Sequence, residues 1–275
     1  MDSDADLVVV ETRERVRLLR MNDPRRLNAW TEAMQTALGR ALDAAAADDG
    51  VGAVILTGTG RYYSAGADLS GSFRLGHPRR LRSMIVEKNY ELFDRFVRFP
   101  KPILAAVNGT ALGAPVTSAV LCDAVVASEA AKFSTPFARL GVPAEGCSSV
   151  LFPRLFGQGT ADRILGAEGW VPTAAEALGI GLVEAVVPAD RLLEEAHRRA
   201  AAWAAEGRAR TFRGGATRAE LEAINARESE EVADAFLSAP FLMNQYRFLR
   251  KKRKTGPALT FLGLAATRPL WGRLL

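Results

Sequence analysis

Cysteine, histidine and long apolar runs are what this 275-residue sequence has least of. Two cysteines, Cys122 and Cys147, are too few for a disulfide framework, so cysteine usage points to a reducing compartment. Two histidines, His77 and His197, exclude a multi-histidine metal centre, and no Cys or His cluster has metal-ligand spacing. The glycine-rich stretches miss the dinucleotide fingerprint. The most apolar candidate for a membrane segment, residues 258–275, is broken by Arg268, Pro269 and Arg273, so membrane contact is not supported. The acidic start, Met1-Asp2-Ser3-Asp4-Ala5-Asp6, is not a secretory pattern, and the final Arg-Leu-Leu is not the S-K-L signal. A cytoplasmic location is the expectation. A net charge of +5 is too slight to imply a nucleic-acid partner. Chemistry must therefore come from carboxylates and backbone amides.

What is present reads as an ordinary globular composition, 48% hydrophobic and 24% charged. Leu7–Val10 and Val16–Leu19, flanking polar Glu11–Glu14, predict a hairpin over 6–21. Thr31 is the expected N-cap of a helix carrying Met34, Ala37, Leu38, Ala41 and Leu42 at helical spacing and stopped by Gly50. Apolar runs without alternation at 51–58, 102–107 and 124–127 predict strands covered on both faces. Helices are expected between them at 80–98 and 113–121, so the class is α/β with right-handed crossovers. After Cys147 the chain reads as mostly helical: 148–155, 159–166, 173–179, 189–206, 217–228 and 230–237, with one strand-like break at 182–187. No linker divides it. The expected organisation is an α/β core over 1–200 followed by a helical region over 201–275.

Two loops of small residues invite a ligand to the main chain. Tyr62-Tyr63-Ser64-Ala65-Gly66-Ala67-Asp68-Leu69 follows one strand; Val107-Asn108-Gly109-Thr110-Ala111-Leu112-Gly113-Ala114-Pro115-Val116 runs from the next into a helix. Pro115 suits a first helical turn, which leaves the Ala114 amide among the orphan donors at the positive helix end. Two such donors would form an oxyanion hole. Between Pro102 and Gly159 the acids are Asp123, Glu129 and Glu145; the first two bracket a strand and read as structural or surface groups. Glu145 reads either as an acid favoured by the following helix N-terminus or as a proton carrier. Asp68 reads as a loop-ordering acceptor, Ser148 and Ser149 as helix caps, and Cys147 as packing.

With these residues in view, the chain resembles the crotonase superfamily, the enoyl-CoA hydratase/isomerase family. Asn22-Asp23-Pro24-Arg25-Arg26-Leu27-Asn28-Ala29 resembles its early N-x-P-x-x-x-N-A segment, Ser64–Asp68 its first oxyanion loop and Val107–Gly113 its second, with Cys122-Asp123 and Lys132-Phe133 at the expected distances. The resemblance implies a spiral of ββα repeats, trimers or dimers of trimers, and acyl-CoA thioesters as substrates, with coenzyme A part of the substrate and no separate cofactor. It implies Ala65 and Ala114 as oxyanion donors, Ala114 replacing the usual glycine. Ser64, Ala65, Gly66, Ala67, Asp68, Ala114 and Phe137 are then the expected substrate-binding residues. Hydratases of the family place glutamates where this sequence has Thr117 and Phe137. The run Thr135-Pro136-Phe137…Pro143-Ala144-Glu145-Gly146-Cys147-Ser148-Ser149 is similar to delta3-delta2-enoyl-CoA isomerases of the peroxisomal type, whose catalytic glutamate falls on Glu145. The implied activity is a double-bond shift in fatty acid beta-oxidation. A hydratase with a rearranged site and a family member that only binds CoA esters are the alternatives. The basic cluster at Arg247, Arg250 and Lys251–Lys254 reads either as a solvated helix end or as a phosphate contact.

Overall fold

The computed structural model describes residues 7–68 and 76–275; Leu69, the last residue of the first small-residue loop, and the acidic start lie outside them. The chain opens with the expected hairpin, strands β1 (Val8–Arg13) and β2 (Val16–Met21). Its turn is tighter than the sequence suggests. Glu14 and Arg15 alone make it, both at positive φ (50° and 61°), so Glu11–Arg13 belong to the strand. Helix α1 (Glu32–Ala47) begins where expected, with the Thr31 side chain accepting the Met34 amide.

Next come β3 (Ala53–Gly58), β4 (Tyr62–Ser64), α2 (Pro78–Arg98), β5 (Ile103–Val107), β6 (Thr110–Leu112), α3 (Ala114–Val120), β7 (Ala124–Ser128) and β8 (Phe133–Ser134). A long strand, a short strand and a helix thus recur. The long strands form a six-stranded sheet in the order β1-β2-β3-β5-β7-β9, β9 being Ala185–Val187, parallel except for the opening hairpin. The short ones form a second parallel sheet, β4-β6-β8. This is the spiral of ββα repeats that the resemblance implies.

The missing alternation in the long strands has a direct cause. Val54, Leu56, Ala105, Val107 and Val125 face the main core, while Ala53, Ile55, Leu104, Ala106, Ala124 and Val126 face helix α8 (Leu192–Glu206) through Leu192, Ala196, Ala200 and Trp203. Both faces are dry, so both must be apolar.

The remaining helices are α4 (Phe137–Leu140), α5 (Ser148–Phe156), α6 (Gln158–Leu165), α7 (Ala174–Gly179), α9 (Arg218–Phe236), α10 (Ala239–Lys251) and α11 (Thr255–Trp271). The sequence reads 217–237 as two helices; the structure has one. Arg250 and Lys251 lie in the last turn of α10, where the helix dipole favours cations. Among the described residues, no helix is long and apolar enough to cross a membrane.

Candidate active site

The two sheets fix the site through their turns. Asn28 is fully buried, and its Nδ2 donates to Thr59 O (2.9 Å) and Tyr62 O (2.8 Å) while its Oδ1 accepts the Asp23 amide (3.0 Å). Asn108 completes the tie, its Oδ1 accepting the Gly58 amide (2.9 Å) and its Nδ2 donating to Gly60 O (2.8 Å). The two motif asparagines thereby hold the β3–β4 turn, and β4 delivers the first small-residue loop. Because β4 and β6 pair in parallel, the loops that follow them emerge at the same end of the small sheet. They approach so closely that a Cβ added to Gly66 (φ 90°) would stand 2.9 Å from Leu112 O. Gly113, at φ 63° and ψ −130°, turns β6 into α3, a conformation that a side chain would strain.

Within the first loop the structure corrects the expected donor. The Ala65 amide donates to Leu27 O at 2.9 Å, so it is not available to a ligand. Trp30 and Ala67 instead form a parallel bridge, in which Trp30 N–H donates to Gly66 O (2.8 Å) and Asp68 N–H to Trp30 O (3.2 Å). That pairing turns the Ala67 amide away from Trp30, and it has no hydrogen-bond partner among the described residues. Nor does the amide of Ala114, the first residue of α3. Ser64 is also reassigned: fully buried, its hydroxyl donates to Asn28 O at 2.7 Å and accepts the Gly66 amide at 3.2 Å, so it shapes the loop rather than lining the cavity.

Ala65, Gly66, Ala67, Asp68, Ala114, Phe137 and Glu145 all line one cavity of about 1010 Å³. Met84, Ile85, Leu92, Leu140, Val142, Val232 and Phe236 make its apolar wall; Arg26, Lys88 and Arg95 bring positive charge. The cluster at 247–254 does not line it. Among the described residues the lining carboxylates are Glu32, Asp68, Glu91 and Glu145. The first three are exposed; Glu145 is half-buried, its open side toward the cavity. Burial pushes the Glu145 carboxyl up to about 7; a hydrogen bond from Asn89 opposes this and the nearby Glu228 adds to it. A carboxyl poised there can take and return a proton near neutrality.

Asn89, on α2, was not legible in the sequence. Its Nδ2 donates to Glu145 Oε2 at 2.8 Å, and its Oδ1 accepts from the Ser229 hydroxyl at 3.0 Å. Ser148 does not cap α5 as expected. Its hydroxyl donates to Glu145 O at 2.7 Å, while Cys147, buried, donates its thiol to Leu221 O at 3.3 Å. Thr117 is buried below the cavity, its hydroxyl donating to Ala114 O at 3.1 Å. Asp123 is a structural hub, accepting the Ile103 and Thr211 amides and pairing with Arg210.

The sequence matches the family described as Enoyl-CoA hydratase/isomerase over residues 11–245. It is 35% identical over 257 residues to human enoyl-CoA delta isomerase 2, covering 90% of this chain and 64% of that protein, so it spans under two thirds of that relative. It is 37% identical over 190 residues to the 2,3-dehydroadipyl-CoA hydratase of Escherichia coli, covering 69% of this chain and 72% of the relative. A crystal structure of an enoyl-CoA hydratase/isomerase from Pseudoalteromonas atlantica superposes with a TM-score of 0.76 at 31% identity, covering 89% of this chain and 97% of that one.

Proposed function

Since the chain belongs to the enoyl-CoA hydratase/isomerase family, we propose that it is a delta3-delta2-enoyl-CoA isomerase of fatty acid beta-oxidation. One observation carries this reading: a single half-buried glutamate shares a cavity with two amides that have no described partner; the resemblance adds that Thr117 and Phe137 occupy the positions of the hydratase acids.

The thioester oxygen of a 3-enoyl-CoA would accept the Ala67 and Ala114 N–H groups. Glu145 takes a proton from C2, and the electron pair left behind spreads over C2, C3, C4 and the thioester oxygen. The two amides stabilise the charge that collects on that oxygen, without having to reorganise. The same carboxyl then gives its proton to C4, leaving a 2-enoyl-CoA. Asn89 holds Oε2, which leaves Oε1 to face the substrate. The apolar wall from Phe137, Leu140 and Val142 excludes water, which is not a reactant. Arg26, Lys88 and Arg95 supply charge suited to the phosphates of the coenzyme A moiety.

The test is turnover of 3-hexenoyl-CoA and longer 3-enoyl-CoAs by wild type and Glu145→Gln, followed by enoyl-thioester absorbance and product mass. Conjugated product without mass gain, reduced about 10²–10⁴-fold in the variant, is expected. A product heavier by one water would make it a hydratase, and binding without conversion a CoA-ester-binding protein. We also propose a trimer, for which exposed Phe248, Leu259 and Leu270 offer apolar surface to a neighbouring subunit; a monomer mass in solution would end that idea.

A further inference from the structure

Glu228 is a buried carboxylate that the mechanism above leaves unused. It stands on α9 beneath the turn that carries Glu145. Its Oε2 accepts the Cys147 amide at 2.6 Å, and its Oε1 accepts the Ser149 amide at 3.0 Å. These are the orphan donors at the start of α5, which has no side-chain cap of its own, because the residue in that position is Cys147 with φ 62°. Between them, Ser148 directs both its amide (3.3 Å) and its hydroxyl (2.7 Å) onto Glu145 O. The amides of the residues on either side of Ser148 are therefore tied to Glu228, and Ser148 itself to the base. One residue further along α9, the Ser229 hydroxyl, its proton shared between Asn225 O (2.7 Å) and Asn89 Oδ1 (3.0 Å), orients Asn89 toward Glu145 Oε2. Helix α9 thus holds the base twice, by its backbone and by its side chain.

We infer that Glu228 is a positioning residue for Glu145: its carboxylate fixes the turn that aims the base and sets a buried negative charge beside it. The inference rests on the reading of Glu145 as the base. A cap for α5 alone would need only a neutral acceptor such as serine or asparagine. A carboxylate costs more to carry into the interior than either, and here the two amides offset only part of that cost. Burial raises Glu228 to about 7 as well, the two amides at the positive end of α5 favour its ionised form, and its charge is among the causes that raise Glu145. Its charge then opposes ionisation of Glu145 and strengthens it as a base.

The neighbouring charges leave that field in place. Arg227 is spread between Ser149 Oγ (3.1 Å) and Glu231 (3.6 Å) near the surface. On α2, which packs along α9, Arg82 is held by Glu230 and Asp234, and Arg98 by Asp94 and Glu222. Glu220 is paired with Arg154. Burial raises the Cys147 thiol far above neutrality, so it stays uncharged.

The experiment is a carbon-13 titration of glutamate-labelled protein, with the Glu145 signal identified by its loss in Glu145→Gln, alongside the pH profile of kcat on 3-hexenoyl-CoA. In Glu228→Gln the Glu145 titration is expected to move to lower pH by about one pH unit. The acid limb of kcat should move with it, and KM should change little. Glu228→Asp keeps the charge but shortens its reach, so it should hold the titration near its wild-type position and lower kcat. A folded Glu228→Gln protein with both the titration and kcat unchanged would overturn the inference. So would failure of both variants to fold, which would leave Glu228 a structural cap only. If Glu145→Gln instead kept full activity, the reading of Glu145 as base would fail, while the titration would still report the coupling by itself.

Discussion

The hydrogen bond from Asn89 to Glu145 favours the ionised carboxylate, so its loss has a definite sign. Asn89→Leu removes that donor and leaves burial unopposed, and the acid limb of kcat is expected to shift to higher pH, with turnover at pH 7 falling. A profile shifted to lower pH, or unmoved, would show that Asn89 does not touch the working form of the base. The two alanine amides of the first loop separate just as cleanly. Replacing Ala67 by its α-hydroxy acid analogue removes an N–H that engages no described residue; turnover should drop about 10²–10³-fold with little change in stability. The same exchange at Ala65 breaks the bond to Leu27 O, costing about 1 kcal/mol of stability. Equal kinetic effects at both positions would contradict this assignment. Sequence alone could not choose between them, because the choice depends on the Trp30–Ala67 bridge, which joins residues 37 apart. Glu145 was legible through its neighbours in the chain; Asn89 and Glu228, 56 residues before Glu145 and 81 after Cys147, were not.

At the scale of elements, long strands and capped helices announced themselves, while β4, β6 and β8, of three, three and two residues, were too short to show any periodicity. Those three strands nevertheless deliver the site. Helix α9 is a second case. Its buried stripe keeps helical spacing through Leu221, Ile224, Asn225, Glu228, Ser229, Val232 and Ala233, but its middle is polar. A reading based on apolar spacing splits the helix there, at the residues that hold Asn89 and the Glu145 turn. The close loops give a further prediction. Gly66→Ala places a Cβ 2.9 Å from Leu112 O on a residue with φ 90°, which should push the two small-residue loops apart. Activity is expected to fall by at least tenfold while the far-UV spectrum stays unchanged. Wild-type kcat in a folded variant would show that the amides tolerate the displacement.

For the molecule as a whole, the site is held at a cost in stability. Glu145 and Glu228, each raised from 4.5 to about 7, bind protons in the folded protein that the unfolded chain has already released. Between pH 4.5 and 7 stability therefore falls as pH rises, and above that the loss is complete. Each group accounts for a loss of about 3 kcal/mol at pH 8. Glu145→Gln should accordingly raise the Tm at pH 8 and leave it nearly unchanged at pH 4.5, as read by calorimetry. An equal effect at both values would mean that the carboxyl is not buried in its charged form.

The clamp on α9 also orders events in time. A chain emerging from the ribosome has both small-residue loops once residue 114 is out, and Glu145 soon afterwards, yet the contacts that aim that glutamate wait until Glu228 and Ser229 have been made and have docked. On the proposed mechanism the chain would be inert through most of its own synthesis, and competence should arrive with the docking of one late helix. On refolding, activity should lag behind formation of the two sheets; recovery in step with them would place that docking within the first assembly of the core.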